Sequence, residues 1–440
     1  MAFGILSSQL TRRGYVEPQM DAIWSEARTV KAWFTVEAAL AGVQAELGIV
    51  PSEAAKAISA EVSRSADLVE AISQGGGGNP LVIGLDAIRK AVPAEHRGWV
   101  HFGATSQDIL DTARALQIRE SLDVIDERLR DLSEKVHTLA HKHKDTLMVA
   151  RTNGQHALPT VAGTRFSRWH AMLERDRSRL AAVRENALMI QFSGAGGTYA
   201  SMGEQGFAVS ERLADRLGLT PALVPWHAER DGIVALCCML AVHAQTLEKI
   251  ADDLFDMQRN EIAEAREVMD AHASGSSAMP QKRNPFATMK TAVGARVVTG
   301  ATASLLMSPP AAHERDHRQL EIERDTLPRV LVTLGGAQAK LLGLLGRLHV
   351  NEEALRKGAE LEGPLLLTEH VLMQLAPAIG HEKAHDVLQE YVTQYQRTGV
   401  SLREYLESRP DTRETVAGID LEAATDPRSY LGLAREVAEF

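Results

Sequence analysis

A short polar segment at 272–285 holds the residues with the clearest chemical potential. Ser276 and Ser277 lie between small residues, and the cations Lys282 and Arg283 follow them closely. A Gly/Ser-rich stretch is usually a flexible linker, but a linker needs no adjacent cations. A serine can act as a base near neutral pH only if cations and backbone N–H groups stabilise its alkoxide. Lys282 could do so while holding a substrate carboxylate, which predicts proton removal from the carbon beside that carboxylate.

A second polar segment, 101–112, precedes a long helical pattern. It contains His101, the hydroxyls of Thr105 and Ser106, and the carboxylate of Asp108. A serine or threonine before a helix is usually an N-cap. The free N–H groups and the dipole of a helix N-terminus also attract an anion. The segment therefore predicts either a helix cap or a carboxylate site.

A third polar segment, 151–159, gathers Arg151, Asn153, Gln155 and His156 within six positions. His156 beside a long apolar helix could be a partly buried histidine with a satisfied partner. The density of hydrogen-bond donors makes recognition of an anion or an amide an equal alternative.

These segments interrupt long helices. Between the first two of them in the chain, apolar residues alternate steps of four and three, the heptad seam of a helix in a bundle: Ile118, Leu122, Ile125, Leu129, Leu132, Val136 and Leu139. The run Ile233–Leu240 is apolar on every side, which predicts a helix at the centre of an oligomeric bundle.

No stretch shows sustained alternation of apolar and polar residues, so almost no sheet is expected. Because consecutive breaks in an up-and-down bundle fall at alternating ends, the three segments could meet only if different subunits supply them.

Length and composition limit the class of protein. The 440 residues suffice for two or three domains, and aromatic residues are only 5%, while Ala and Leu dominate, which favours helix. The net charge of -10 argues against nucleic acid as a main partner. Cys237 and Cys238 are adjacent and unsuited to a bridge, which indicates a reduced, cytoplasmic protein. We see no secretory signal in Met1–Leu10, and no apolar run reaches the about 18 residues that span a bilayer. No metal-ligand spacing occurs in the three polar segments, so no cofactor is expected.

The segment Gly275–Pro285 resembles the signature G-S-S-x-M-P-x-K-x-N-P of the fumarase/aspartase superfamily. Segments 101–112 and 151–159 resemble the first and second signature regions of that superfamily. The resemblance implies an all-α fold of three helical domains, with a central long-helix bundle forming a homotetrameric twenty-helix core. It also implies active sites shared by three subunits, in agreement with the position of the breaks. The domains are predicted at 1–112, 113–360 and 361–440.

The resemblance assigns roles to individual residues. It makes Ser276 the base that removes a proton beside a carboxylate. The substrate-binding residues that it implies, together with those from the polar segments, are Thr105, Ser106, Arg151, Asn153, Gln155, Lys282, Asn284 and Arg315. The substrate would be a di- or tricarboxylate, and the reaction would need no cofactor, no nucleic acid and no membrane.

Two branches of the superfamily share further patterns with the chain. The adenylosuccinate lyase branch is similar at 15–24, at 313–316 and at Glu323-Arg324, but it carries a phosphate-binding serine pair where this chain has Leu320 and Glu321. The bacterial 3-carboxy-cis,cis-muconate cycloisomerase branch is similar at 79–82, 100–108, 225–227, 313–315 and 426–432. The second resemblance extends over more of the chain.

One departure concerns the general acid. Most lyases of the superfamily carry Thr-His at the second signature, and the histidine helps to protonate the leaving group. Here that position is Asn153, which cannot donate a proton near pH 7. His156 and His101 are the candidate acids, and His156 is preferred because it lies in the same segment.

Four functions remain open from the sequence. The first is a lyase or cycloisomerase that acts on a substituted succinate or a carboxymuconate-type polycarboxylate. The second is an epimerase of an N-substituted aspartate such as iminodisuccinate, which the loss of a histidine at Asn153 favours. The third is adenylosuccinate lyase, and the fourth is a non-catalytic structural oligomer.

Overall fold

The computed structural model describes residues 4–62, 68–76, 78–222, 224–268 and 276–440. Within these ranges almost all regular structure is helical. The helices are α1 Pro18–Ile23, α2 Glu26–Glu46, α3 Ser52–Val62, α4 Leu68–Gln74, α5 Pro80–Ala91, α6 Ser106–Lys142, α7 Ala162–Ala187, α8 Gly206–Leu217, α9 Asp231–Met257, α10 Phe286–Leu306, α11 His317–Leu345, α12 Glu352–Glu360, α13 Thr368–Ile379, α14 His381–Thr398, α15 Leu402–Ser408, α16 Arg413–Val416, α17 Leu421–Ala424 and α18 Ala434–Val437. The all-α prediction is confirmed.

The strands form two short antiparallel ribbons. They are β1 Leu147–Thr152 paired with β2 Gln155–Val161, and β3 Ala265–Glu267 paired with β4 Leu348–Val350. The first ribbon occupies the third polar segment, where only a non-helical break was expected. The prediction of almost no sheet otherwise agrees with the described structure.

The chain divides into two compact units. The first contains the described parts of Met1–Asp131, Leu173–Ala251 and Ala287–Leu342. The second contains the described parts of Leu132–Met172, Asp252–Phe286 and Gly343–Phe440. The division into domains 1–112, 113–360 and 361–440 stays a prediction.

Helix α6 confirms the predicted heptad seam. Ile118, Leu122, Ile125, Leu129, Leu132 and Val136 are all buried, and Leu139 is half-buried. The helix begins at Ser106, inside segment 101–112 and directly after Thr105. Packing of one apolar stripe against the core fixes the rotation of α6. It therefore also fixes the position of the polar residues at the start of the helix.

Helix α9 is less completely buried than its sequence predicts. Leu236 and Leu240 are buried, but Ala235 is exposed and Val242 is 42% exposed. The helix is long and apolar enough to cross a membrane by length and composition alone, yet 56% of its most apolar window is buried inside the protein. The exposed residues of this helix include both apolar and polar side chains, such as Val242 and Gln245.

The two cysteines on α9 lead to a testable difference. Burial raises the pKa of Cys237 to about 12, whereas Cys238 is half-buried, and both are free thiols. Because only the thiolate reacts with disulfide reagents, Cys237 should be inert near pH 8. In a Cys238→Ser variant, we expect the remaining thiol to react with a chromogenic disulfide only after unfolding. Rapid reaction of one thiol per native chain of that variant would contradict the prediction.

Candidate active site

The buried carboxylate of Asp108 connects the start of α6 to two other segments of the first unit. Its Oδ2 accepts hydrogen bonds from the backbone N–H groups of Thr105 and Gly194, both at 3.0 Å. Its Oδ1 accepts from the N–H of Ser193 at 3.2 Å and from Nε2 of His227 at 2.8 Å. Asp108 is 1% exposed, so these bonds replace water around its charge. The loop before α6 and the loop at 193–197 are thereby held at one point.

Arg315 lies against the hydroxyl that sequence analysis assigned to carboxylate binding. Its Nη1 donates to Thr105 Oγ1 at 2.9 Å, and its Nη2 donates to the carbonyl oxygen of Ala195 at 2.8 Å. The Nε atom of Arg315 is buried and has no hydrogen-bond partner in the described part of the chain. Ser106, the first residue of α6, is half-buried beside Thr105. A guanidinium, two hydroxyls and a helix N-terminus together suit an anion such as a carboxylate.

A buried ionic network lies one turn further along α6. Arg230 Nη1 and Nη2 donate to Asp111 at 2.8 and 3.1 Å, and its Nε and Nη2 donate to Glu323 at 2.9 and 2.6 Å. Arg114 Nη1 also donates to Glu323, at 2.9 Å. Burial alone would raise the pKa of Asp111, but the Arg230 and Arg114 charges outweigh it and hold that pKa below its usual range. Two cations and two anions thus balance each other in a largely buried network.

His101, one of the two candidate acids, is held by a second buried carboxylate. Its Nδ1 lies 2.6 Å from Oε1 of Glu37, which is 2% exposed. The backbone of His101 has φ 65°, and Gly103 follows with φ 72°. The contact fixes the orientation of the imidazole ring within the loop that leads to Thr105.

The third polar segment is a two-residue β-hairpin in the second unit. Asn153 and Gly154 form its turn, with φ 52° and 80°. Positive φ at both central residues is the requirement of a type I′ turn, and Asn-Gly is the pair that best satisfies it. The backbone therefore supplies a local reason for asparagine at position 153.

The hairpin presents its polar residues on two faces. Arg151 pairs with His156 and Thr152 pairs with Gln155, so members of a pair share a face and successive residues alternate. Arg151 donates to Glu264 from Nη1 at 3.1 Å and from Nη2 at 2.6 Å. His156 Nδ1 lies 3.7 Å from a Glu362 carboxylate oxygen, while Thr152 and Gln155 are exposed on the other face.

The predicted binding residues of this segment are thus not all brought together. Glu264 is 1% exposed, and it occupies the guanidinium of Arg151. Gln155 and Asn153 are exposed, whereas His156 is half-buried on the opposite face from Gln155.

The described part of the signature segment begins at Ser276. Ser276 Oγ accepts hydrogen bonds from the backbone N–H groups of Ala278 at 3.4 Å and Met279 at 3.2 Å. The N–H of Lys282 donates to the carbonyl oxygen of Met279 at 3.1 Å, and the side chain of Lys282 is exposed. Residues 272–275 of the predicted segment lie outside the described residues. Two N–H donors therefore point at the oxygen on which an alkoxide would form.

Sequence reasoning did not find the roles of Asp111, His227, Arg230 and Glu264. Their partners are distant in the chain, as in the pairs Asp108 with His227 and Arg151 with Glu264. No spacing within a segment signals such pairs. His227 enters the sequence argument only through the resemblance at 225–227.

Comparison with known proteins defines the class of this protein. A family model described as Lyase matches residues 12–300, and a second, described as Adenylosuccinate lyase C-terminus, matches residues 364–439. The chain therefore belongs to this lyase family, the fumarase/aspartase superfamily, and it is a lyase or cycloisomerase of that superfamily.

Several characterised relatives match nearly the whole chain. Adenylosuccinate lyase of Methanocaldococcus jannaschii is 33% identical over 97% of this chain and 93% of its own length. The 3-carboxy-cis,cis-muconate cycloisomerase of Pseudomonas aeruginosa is 34% identical over 98% of this chain and 95% of its own length. The N-acetyl-S-(2-succino)cysteine lyase of Dickeya dadantii is 31% identical over 99% and 96%.

Solved structures agree with this placement. A fumarate lyase from Mesorhizobium sp. BNC1 superposes with a TM-score of 0.89 at 30% identity, covering 97% of each chain. The 3-carboxy-cis,cis-muconate lactonizing enzyme from Pseudomonas putida superposes with a TM-score of 0.88 at 32% identity, covering 98% of this chain and 97% of its own.

Proposed function

We propose that this enzyme removes a proton beside a carboxylate of a substituted succinate or a carboxymuconate-type polycarboxylate, with Ser276 as the base. Reversible cleavage of the adjoining Cα–N or Cα–O bond completes the reaction. The pair of backbone N–H groups at Ser276 Oγ is the observation that carries the proposal, because they stabilise the alkoxide that a serine base requires.

The substrate carboxylate that is further from the removed proton would bind to residues of the first unit. Thr105, Ser106 and Arg315 offer hydroxyls and a guanidinium, and the buried Nε of Arg315 has capacity for one more acceptor. Lys282 and Asn284 of the signature would bind the carboxylate next to the proton that is removed and stabilise the aci-carboxylate. The substrate therefore needs at least two carboxylates.

The region that would bind a nucleotide phosphate disfavours adenylosuccinate as the substrate. Leu320 is 4% exposed and packs in the core, where it offers no hydrogen bond. Glu321 accepts a hydrogen bond from Arg324, which neutralises the nearby cation. A phosphate would find no donor at position 320 and would meet a carboxylate at Glu321, so smaller polycarboxylates rank first.

The proposal includes a homotetramer with each active site shared by three subunits. Segment 101–112 belongs to the first unit, whereas the hairpin and the signature segment belong to the second. On α10, Phe286, Met289 and Val293 are 41%, 43% and 40% exposed at helical spacing, which makes an uncovered apolar stripe. Such a stripe suits contact with another copy of the chain.

Sharing of sites can be tested by mixing two inactive variants. If different subunits supply Arg315 and Ser276, dissociated and reassembled mixtures of Arg315→Ala and Ser276→Ala should recover part of the wild-type turnover, because some sites receive both intact residues. Sedimentation velocity gives the subunit number. Mixtures that stay as inactive as their parents, although they reassemble, would contradict shared sites.

The general acid is proposed to be His156. Its buried Nδ1 has no hydrogen-bond partner in the described structure and lies 3.7 Å from a carboxylate oxygen of Glu362. We expect His156→Gln to lower kcat by about 100-fold or more if this ring protonates the leaving group. His385→Gln, an exposed change on α14, is the matched control and should leave turnover unaltered.

Epimerisation is the second candidate, and Asn153 is the observation that favours it. With no acid at position 153, a proton could return to the substrate instead of a leaving group being expelled. Histidine tolerates the φ of 52° better than most residues, so Asn153→His can be made without distorting the turn. If the wild type is an epimerase, Asn153→His should add an elimination product. Chiral chromatography and ultraviolet detection of the alkene distinguish the two products.

A substrate panel tests the proposal directly. Purified enzyme is incubated with adenylosuccinate, argininosuccinate, carboxymuconate, iminodisuccinate and other N-substituted aspartates, and the products are read by mass and chirality. We expect turnover of a small polycarboxylate and little of adenylosuccinate. Turnover of adenylosuccinate above all others would contradict the ranking, and activity only on compounds with a single carboxylate would contradict the proposal.

A further inference from the structure

Three histidine rings of the second unit pack against one another outside the segments described above. His137 and His141 are four residues apart on α6, and their Nε2 atoms are 3.1 Å apart. His170 on α7 packs against His137, with ring centroids 4.9 Å apart. None of the three belongs to the signature segments, and the proposed reaction uses none of them.

Ser133 fixes the orientation of the third ring. Nδ1 of His170 lies 2.9 Å from Ser133 Oγ and 3.2 Å from the carbonyl oxygen of Ser133. An Nδ1–H group that donates to this carbonyl leaves the lone pair on Nε2 of His170. This is the arrangement by which proteins commonly orient a histidine that binds a metal.

We propose that His137 and His141 chelate a divalent transition-metal ion of the zinc class through their Nε2 atoms. Two imidazole nitrogens, each about 2.0–2.1 Å from Zn²⁺, lie roughly 3 Å apart at bond angles between the octahedral and tetrahedral values. The observed separation of 3.1 Å agrees with this distance. Imidazole is a preferred ligand of Zn²⁺, Ni²⁺ and Cu²⁺.

The site consists of two protein ligands completed by water. Among the described residues, no group of three or more histidine, cysteine, aspartate or glutamate side chains is arranged to hold a metal ion. His170 is the nearest further imidazole, and its Nδ1 is bonded to Ser133. Without metal, the distance between the two Nε2 atoms suits a hydrogen bond from one ring to the other.

The chain contains an internal comparison. His381 and His385 have the same spacing on α14, but both are exposed, and their rings make no contact with each other in the described structure. His385 Nδ1 instead lies 3.8 Å from Asp386. The two pairs therefore share the spacing of four residues. Of these two pairs, the His137/His141 pair has its Nε2 atoms at a distance that suits chelation.

The test is titration of Zn²⁺ alone into the full-length protein, without a polyhistidine tag and after removal of metals by a chelator. We expect calorimetry to show one Zn²⁺ per chain. His137→Gln and His141→Gln should each weaken this binding by about tenfold or more, since each removes one of two ligands. His385→Gln should bind as the wild type does. Co²⁺ should give visible absorption bands with the wild type that His141→Gln lacks.

Two results would overturn the proposal. One is a His137→Gln/His141→Gln double variant that binds Zn²⁺ as tightly as the wild type. The other is a loss of binding in His385→Gln with binding retained in His137→Gln. Thermal unfolding without metal should be equal in the wild type and the variants, which shows that lost ligands and not lost folding explain the effect.

Discussion

Ser276→Ala will lower kcat by about 100- to 10,000-fold, the usual contribution of a positioned general base. The substitution removes the oxygen to which the N–H groups of Ala278 and Met279 donate, so no alkoxide can form there. Substrate affinity should change much less, because the carboxylate-binding groups remain. The measurement is steady-state turnover of a substrate identified by the panel, with KM and kcat determined separately.

Ser277→Ala is the matched control. Ser277 is exposed and directly follows Ser276, so the two variants remove the same hydroxyl from neighbouring positions. We expect Ser277→Ala to retain most of the wild-type kcat. Exchange of the substrate proton with deuterium oxide gives a second measurement, since only loss of the base stops this exchange. The assignment fails if Ser276→Ala exchanges the proton and turns over substrate as the wild type does.

Asp108→Asn will lower the free energy of unfolding by about 3 kcal/mol, because it removes a buried carboxylate that four donors share and leaves at least one of them without an acceptor. The carboxylate accepts bonds from Thr105, Gly194, Ser193 and His227 with two oxygens. An amide offers one oxygen and turns an NH₂ group toward at least one of these donors. Urea unfolding at a fixed protein concentration measures the loss.

The same change should raise KM more than it lowers kcat. Asp108 touches no reacting atom in the proposed site, but it holds the loop of Thr105 and the loop whose Ala195 carbonyl accepts from Arg315. Loosening both loops weakens carboxylate binding. Asp86→Asn is the control, because Asp86 is an exposed carboxylate that pairs with Arg89 one turn away, a contact worth at most about 1 kcal/mol. Equal unfolding free energies for Asp108→Asn and Asp86→Asn would contradict the role given to Asp108.

Local sequence predicted the long helices well and their ends less well. The heptad positions of α6 are buried as expected, because apolar periodicity states directly which side of a helix faces the core. Helix α9 contains the apolar run Ile233–Leu240 and spans Asp231–Met257, bounds that the run does not state. The chain leaves the helix through a turn in which Ala263 has φ 49°, and then enters β3. Pairing with β4, more than 80 residues further on, decides that ending.

The hairpin has a turn signal in the sequence, but the periodicity of apolar residues does not reveal its strands. Asn153-Gly154 is a strong hairpin pair, but the register shift between Val149 and Arg151 interrupts the alternation of the first strand. A search for regular alternation therefore finds only a break. As a consequence for function, Gln155 and His156 lie on opposite faces of the hairpin. The spacing of residues in the segment did not predict this.

By itself, the sequence determined the family, the helical class and the identity of the signature residues around Ser276. Those properties depend on local periodicity and on the order of residues in one segment. Only the tertiary structure decided that Arg315 meets Thr105, that Asp108 holds two loops, and that Glu264 occupies Arg151. Each of these contacts joins residues more than 80 positions apart. Such contacts arise from packing of helices and from the need to pair every buried charge, and neither is written in the spacing of a single segment.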